Sequence, residues 1–328
     1  MDLARELGVS TATVSRALNG SAAVRPELAE RVRAHAEARG YVANRLARAL
    51  SANSSRAFVG FVIPYVDTPA YSAVAAECAR LLSADGTQMI LTITENDPER
   101  ELRQLRDLIA SRCAGLVISP STGVLDETRR LLGSLPVVEL HRASGIDAPG
   151  VFSDDEQALT ESVLHLAALG HTDIAYLGTP RELSNGTVRL RGVRRGMELA
   201  GLDRDAMAMR LVEPTRELGR EGAAELIAAG ATALLVGGGS LSVGAAEAAR
   251  HSGRRIPDEL SLVVYGDPAW FALADPPLTT IQVDYAELAR RAAGLLLDAL
   301  EGGATGGGTL VAPVLRLAGS TAPPGAVP

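Results

Sequence analysis

The most constraining feature of the sequence is an alternation. From about Ala57 onward, short apolar runs ("AFVGFVIP", "TQMILTIT", "GLVISP", "PVVEL") are separated by stretches with helical spacing such as "SAVAAECARLLSADG" and "ERELRQLRDLIASR". Strands that alternate with helices form βαβ units, and βαβ units build parallel sheets. The pattern restarts with "VFSDD", "DIAYLG", "AMRLV", "ALLVGG" and "SLVVYG". The expected body is therefore α/β and two-lobed, with two doubly wound parallel sheets over residues 57–328. The lobes should span about 57–153 and about 154–284. "YAELARRAAGLLLDALEG" reads as a further helix and "TLVAPVLRLAGST" as a last extended stretch; 285–312 fall to the first lobe and 313–321 to the second. Two facing lobes leave a cleft, and open α/β sheets bind ligands at the carboxyl ends of their strands.

The first 56 residues differ in texture and charge. They carry nine arginines against five acidic residues, a net of +4, within a chain whose net charge is −7. The rest of the chain therefore carries −11. A small basic head on an acidic body points to a polyanionic partner for the head alone.

Within the head, "DLAREL" reads as a short helix with Leu3, Ala4 and Leu7 inward, ended by Gly8. Ser10 then caps a second helix, "TATVSRALNG", in which Val14, Ala17 and Leu18 share one face and Asn19-Gly20 mark the stop. Thr11, Ala12, Ser15, Arg16 and Asn19 fall on the opposite face. A third helix begins at Pro26, with a stripe of Leu28, Val32 and Ala36, and should end at Gly40. Two short helices around a glycine turn make a helix-turn-helix, whose second helix enters the DNA major groove. Short side chains such as Thr11 and Ala12 allow close approach to base edges. Arg16 is long enough to pair with guanine O6 and N7. Ser10, Ser15 and the helix N-terminus suit phosphates.

These residues resemble the head of the lactose/galactose repressor family. "GYVANRLARAL" (40–50) is similar to that family's hinge, with Tyr41, Asn44, Ala47, Arg48 and Leu50 matching in order and Ala43 in the place of the usual proline. The resemblance implies an all-α helix-turn-helix domain over 1–43 and a hinge over 44–56. It implies that the hinge becomes helical on DNA, with Leu50 as the minor-groove wedge and Arg48 against the backbone. The segment is too brief to hold a helix alone. The family also has a capping Thr before its first helix; this sequence opens at Met1-Asp2, and the expectation is a start codon further upstream. The resemblance continues through "ALGHTDIAYLG", "RLRGVRRGM" and "DPPLTTIQVDYAELARRA", and it implies a body like the periplasmic binding proteins.

By the same resemblance Arg189 stands where relatives hold ligand hydroxyls or an anionic group, and Tyr285 matches an aromatic wall. His141, Ser240 and Asp267 join them as effector-site candidates. Gly238, Gly239 and Gly266 replace polar residues common in sugar-responsive relatives. Simple hexoses should then bind poorly, because a site without polar partners cannot hold their hydroxyls. An anionic or heterocyclic ligand that uses Arg189 and His141 is expected instead.

Composition narrows the remaining classes. All 32 basic residues are arginine, which excludes a Schiff-base lysine and a Walker A loop. Cys78 and Cys113 form neither a metal pair nor a disulfide framework and are expected as free, buried thiols. No signal peptide or membrane-spanning run is seen, so a cytoplasmic protein is expected. "VGGGSLSVG" invites a dinucleotide reading, but Ser242 stands where G-x-G-x-x-G needs its third glycine. A solute-binding protein of the same two-lobed fold would need an export signal and no basic head. The expectation is a non-enzyme without cofactor or metal. It is a transcription regulator, a repressor, acting as a homodimer on a pseudo-palindromic double-stranded operator under control of a small-molecule effector. The tail "STAPPGAVP" lacks the heptads of a tetramerising coiled coil.

Overall fold

Leu3, Ala4, Val14, Ala17, Val32 and Ala36 are buried against one another and explain how so short a head can pack. In the computed structural model, which describes residues 2–18, 21, 23–39, 58–266, 268–303 and 307–325, the head has three helices. These are α1 (Asp2–Glu6), α2 (Thr11–Leu18) and α3 (Pro26–Ala38). Gly8, at φ 64°, makes the turn between the first two in the left-handed region that glycine enters freely. Ser10 caps α2 as expected: its hydroxyl accepts the Thr13 amide at 3.0 Å. Glu6 clamps α1 to α3 through His35 at 2.6 Å and Arg39 at 2.8 Å. The chain divides into this unit and a second that begins at Phe58.

The second unit contains two six-stranded sheets. The first comprises β1 (Phe58–Ile63), β2 (Gln88–Ile93), β3 (Leu116–Ile118), β4 (Val137–Leu140), β5 (Gly150–Ser153) and β11 (Gly308–Val311). Its order is β11-β5-β4-β3-β1-β2, with every pair parallel. β1 is buried along its whole length, as a strand covered on both faces must be. β2 lies at the edge, and its Ile90 and Leu91 are exposed. Helices α4 (Pro69–Ala84), α5 (Pro98–Ala110) and α6 (Asp126–Leu132) connect these strands.

At Asp154 the chain crosses to the second lobe. There β6 (Ile174–Gly178), β7 (Met209–Leu211), β8 (Ala233–Gly237), β9 (Ser261–Tyr265) and β10 (Thr279–Gln282) alternate with α7 (Asp155–Ala168), α8 (Ser184–Leu199), α9 (Arg216–Ala228) and α10 (Gly239–His251). Helix α11 (Tyr285–Leu300) returns to pack on α4 and β4 of the first lobe. The extended run read in "TLVAPVLRLAGST" is two strands in two sheets. β11 is parallel to β5, and β12 (Val314–Arg316) is antiparallel to β10. The second sheet, in order β12-β10-β9-β8-β6-β7, is parallel apart from that one pair. One apolar cluster runs through both lobes, and a second fills the outer face of the second lobe.

His171 lies just past α7 and is buried. Its Nδ1 meets Thr232 at 3.0 Å, and its Nε2 meets Ser261 and the Ala322 carbonyl at 2.9 Å. It ties the C-terminal segment to the sheet. Both cysteines are free, but only Cys78 is fully buried; Cys113 is partly accessible. Burial pushes the Cys78 thiol up to about 12, which makes it inert at neutral pH. No described helix is long and apolar enough to cross a membrane.

Helices α9 and α10 touch backbone to backbone. A Cβ on Gly244 would stand 2.1 Å from the Arg216 carbonyl oxygen, and one on Gly219 would stand 2.7 Å from the Leu241 Cα. Gly294 on α11 has nothing within 4 Å of that position. Gly244→Ala should therefore destabilise the body by roughly 1–3 kcal/mol. Gly294→Ala should stabilise it by roughly 0.5–1 kcal/mol through helix propensity. Urea unfolding checks both. A neutral Gly244→Ala would mean that the two helices do not approach this closely.

Candidate functional site

Two surfaces carry the functional expectations. The first is the outer face of α2, where Thr11, Ala12, Ser15 and Arg16 are exposed while Val14 and Ala17 face the core. Arg16 makes no ion pair among the described residues, whereas His35 and Arg39 of the same head are both held by Glu6. The Ser10 hydroxyl is engaged by Thr13, 2.8 Å from its side-chain oxygen. Asn19, Asn44, Arg48 and Leu50 lie outside the described residues, as does Gly40.

The second surface is the cleft between the lobes. Its floor is an ion pair that the sequence did not suggest. Asp155 opens α7, and its Oδ2 accepts from Arg189 Nε at 2.6 Å. Its Oδ1 accepts from the Tyr265 hydroxyl at 2.7 Å. Arg189, on α8, also donates Nη1 to the Gly237 carbonyl at 3.0 Å and stacks over the Tyr265 ring at 4.2 Å. Burial opposes the charge on Arg189, but Asp155 overrides it and holds the guanidinium protonated. Burial, set against the pull of Arg189, keeps the Tyr265 hydroxyl a neutral donor. The cation expected to meet an anionic ligand is thus already neutralised.

Above this floor, His141 sits at φ 60°, a conformation uncommon outside glycine, with its ring edge-on to Tyr71 at 5.4 Å. Burial, reinforced by the charges of Arg189 and Arg142, pulls its imidazole down to about 3. It is a neutral group at physiological pH. Tyr285 borders the cleft too; a Cβ on Gly266 would meet its hydroxyl at 3.0 Å. The backbone of Gly238 and Gly239 also borders it. Ser240 is there, but its hydroxyl is paired with Thr68 of the opposite lobe at 2.8 Å. Asp267 lies outside the described residues.

The lobes are drawn together by further bonds. Glu213 of the second lobe accepts from the Tyr65 hydroxyl at 3.1 Å and from Asn96 Nδ2 at 2.9 Å. The Ala143 amide donates to Ser184 Oγ at 2.9 Å. The space left between them is about 50 Å³. Sequence reasoning missed Asp155, Tyr265, Asn96 and Glu213. One signal was available: in a chain with 3% aromatics and six tyrosines, Tyr65, Tyr71, Tyr265 and Tyr285 all border this cleft. Buried polar atoms with no hydrogen-bond partner among the described residues also gather here, namely His141 Nε2, Arg142 Nε, Thr179 Oγ1 and Asn185 Oδ1. Groups left in that state cost stability unless a ligand engages them.

Breaking the floor should be expensive. Asp155→Asn leaves a buried guanidinium without its counter-charge and should cost about 3–5 kcal/mol in chemical unfolding. The double variant Asp155→Leu/Arg189→Met should recover most of that loss, and a single variant within 1 kcal/mol of wild type (an estimate at the scale of an exposed pair) would refute the floor's importance. His141 gives a pH prediction. The folded imidazole takes a proton only near 3, against 6.5 when unperturbed. Between these values the unfolded chain binds the extra proton, so stability falls as pH falls, by up to about 1.4 kcal/mol per pH unit. His141→Gln should flatten the stability curve between about pH 6 and about pH 4 relative to wild type. Parallel curves would show that His141 is not a buried neutral base.

With this geometry in place, comparison with known proteins is direct. Residues 1–44 match the lacI family of bacterial regulatory proteins, and residues 163–321 match a periplasmic binding protein-like domain. The HTH-type transcriptional regulator MalR of Streptomyces coelicolor is 30% identical over 314 residues, covering 92% of this chain and 90% of that one. The regulator AscG of Escherichia coli is 28% identical over 310 residues, covering 92% of each. Among solved structures, the lac repressor dimer bound to operator and the anti-inducer ONPF matches with a TM-score of 0.84 at 25% identity, covering 98% of each chain. The chain belongs to the lacI family of bacterial regulatory proteins.

Proposed function

We propose that this protein is a ligand-controlled, sequence-specific DNA-binding regulator, a repressor, that works as a homodimer in the cytoplasm. The carrying observation is that one chain joins a helix face built for a groove to a two-lobed body with an unsatisfied cleft. On α2, Arg16 is exposed and makes no ion pair among the described residues, with small neighbours around it, as a base-reading side chain needs. Thr11 and Ala12 permit close approach, while Ser10, Ser15 and Asn19 lie against the backbone. Asn44, Arg48 and Leu50 take the hinge roles of the family. One head spans too few base pairs for useful specificity, so two heads on a pseudo-palindromic site are required.

The body supplies control. A small molecule enters between the lobes, where His141, Tyr285 and Ser240 border it and Arg189 anchors the floor, with Asp267 taking the role that the family resemblance assigns it. Arg189 and Asp155 satisfy each other, and His141 is neutral, so these groups suit binding rather than acid–base chemistry. The same proteins supply precedent: the lac repressor dimer was solved with operator and anti-inducer together.

Selection of binding sites from random duplexes by the full chain should yield a two-fold symmetric motif. Arg16→Ala should weaken the best site by about 1–3 kcal/mol and relax preference at one base pair per half-site. An unchanged motif and affinity for Arg16→Ala would remove Arg16 from base reading. The absence of any enriched motif with the wild-type chain would end the regulator reading.

A further inference from the structure

Arg142 follows His141 at the end of β4 and borders the cleft. It is 3% exposed. Its Nη1 donates to Asn96 Oδ1 at 2.8 Å and to the Pro120 carbonyl at 3.3 Å, both neutral acceptors. Its Nε has no hydrogen-bond partner among the described residues. Among the described residues no carboxylate forms an ion pair with it. Glu213 reaches it only through Asn96, whose Nδ2 donates to that carboxylate at 2.9 Å. Glu101 acts on it only through space, and burial pushes the Glu101 carboxyl up, which weakens it as a counter-charge.

A buried guanidinium in this state is costly, because the charge has left water without gaining a paired anion. Asn96, whose side-chain carbonyl accepts from the arginine, sits in the left-handed region at φ 56°. The contrast with Arg189 decides which arginine is open. Arg189 has a carboxylate at 2.6 Å, and Arg142 has none. Thr179 Oγ1 and the neutral His141 Nε2, on residues that line the same cleft, also lack a hydrogen-bond partner among the described residues.

We propose that the cleft ligand carries an oxyanion, a phosphate ester or a carboxylate, and that Arg142 is the residue that receives it. This rests on the cleft being the effector site. The space of about 50 Å³ suits a group of a few heavy atoms. The rest of the ligand has room in an adjoining chamber of about 320 Å³, which shares His141, Asn185 and Arg189 with the cleft. Phe152, Val188 and Leu310 give that chamber an apolar wall. The ligand is therefore an anion on a neutral, partly apolar body. Arg142 accepts it through a charge-assisted bond, and the geometry of the guanidinium favours oxyanions over other groups.

Calorimetry on the full chain with phenyl phosphate, benzoate, inorganic phosphate and benzyl alcohol tests this. Phenyl phosphate or benzoate should bind, inorganic phosphate more weakly, and benzyl alcohol least. The preferred probe of the first two identifies the oxyanion. Arg142→Gln keeps a hydrogen bond to Asn96 but removes the charge, and it should weaken the anionic probe by about ten- to hundredfold. Arg142→Lys should retain part of the affinity, so a misfolded Gln variant is recognised by recovery in the Lys variant. Equal anion binding by wild type and Arg142→Gln would overturn the proposal, since it would place the anion elsewhere, for instance on the basic head. Benzyl alcohol binding as well as either anion would overturn it too. Neither result touches the regulator reading, which the operator selection tests separately.

Discussion

The ion pair between Arg189 and Asp155 joins parts of the second lobe that the chain order keeps far apart. Asp155 is the first residue after the crossing from the first lobe. Arg189 lies one turn into α8, Gly237 ends β8 and Tyr265 ends β9. All converge at 2.6–3.0 Å on one buried carboxylate and one buried guanidinium. Each charge is affordable inside the protein only because the other is there. The carboxyl ends of the central strands, which the fold class marks as the ligand edge, are thereby given a rigid and electrically neutral floor.

That neutrality sets the character of what stands above it. Burial, reinforced by two guanidinium charges, keeps a proton off His141, so it offers a neutral ring. Arg142 keeps a charge with no paired carboxylate among the described residues. The lobes close over both through Thr68–Ser240, Tyr65–Glu213 and Asn96–Glu213, each a single hydrogen bond between polar groups. Contacts of this kind are worth roughly 1–3 kcal/mol each net. A set of them can hold a closed arrangement while leaving it within reach of a ligand's binding energy, which is what a two-state sensor needs.

Most of the body was legible from the chain because parallel strands covered on both faces must be continuously apolar, and "AFVGFVIP" or "SLVVYG" can be little else. The head was legible because Val14 and Ala17 mark one face of α2 and Ser10 its start. The split of "TLVAPVLRLAGST" between two sheets was not, since pairing is a tertiary choice and each half is apolar enough for either. Arg189 was found through family resemblance, but its partner was hidden: in "FSDDE" three acids stand at the start of a helix, where acidic residues are common for their interaction with the helix dipole. The tyrosines come from separate loops, and only the fold shows that they meet. Arg142 was passed over because nothing in "ELHRAS" tells a buried arginine from an exposed one.

Occupancy of the cleft and grip on DNA are one equilibrium in a regulator built this way. The direct measurement is the affinity of the cleft ligand for the free protein and for the protein saturated with its selected operator. Linkage requires the two values to differ by the same factor by which the ligand changes operator affinity, about 1–3 kcal/mol or roughly 5–150-fold. Equal ligand affinity in the two states would contradict the account, for it would show a filled cleft that the DNA-binding head does not sense.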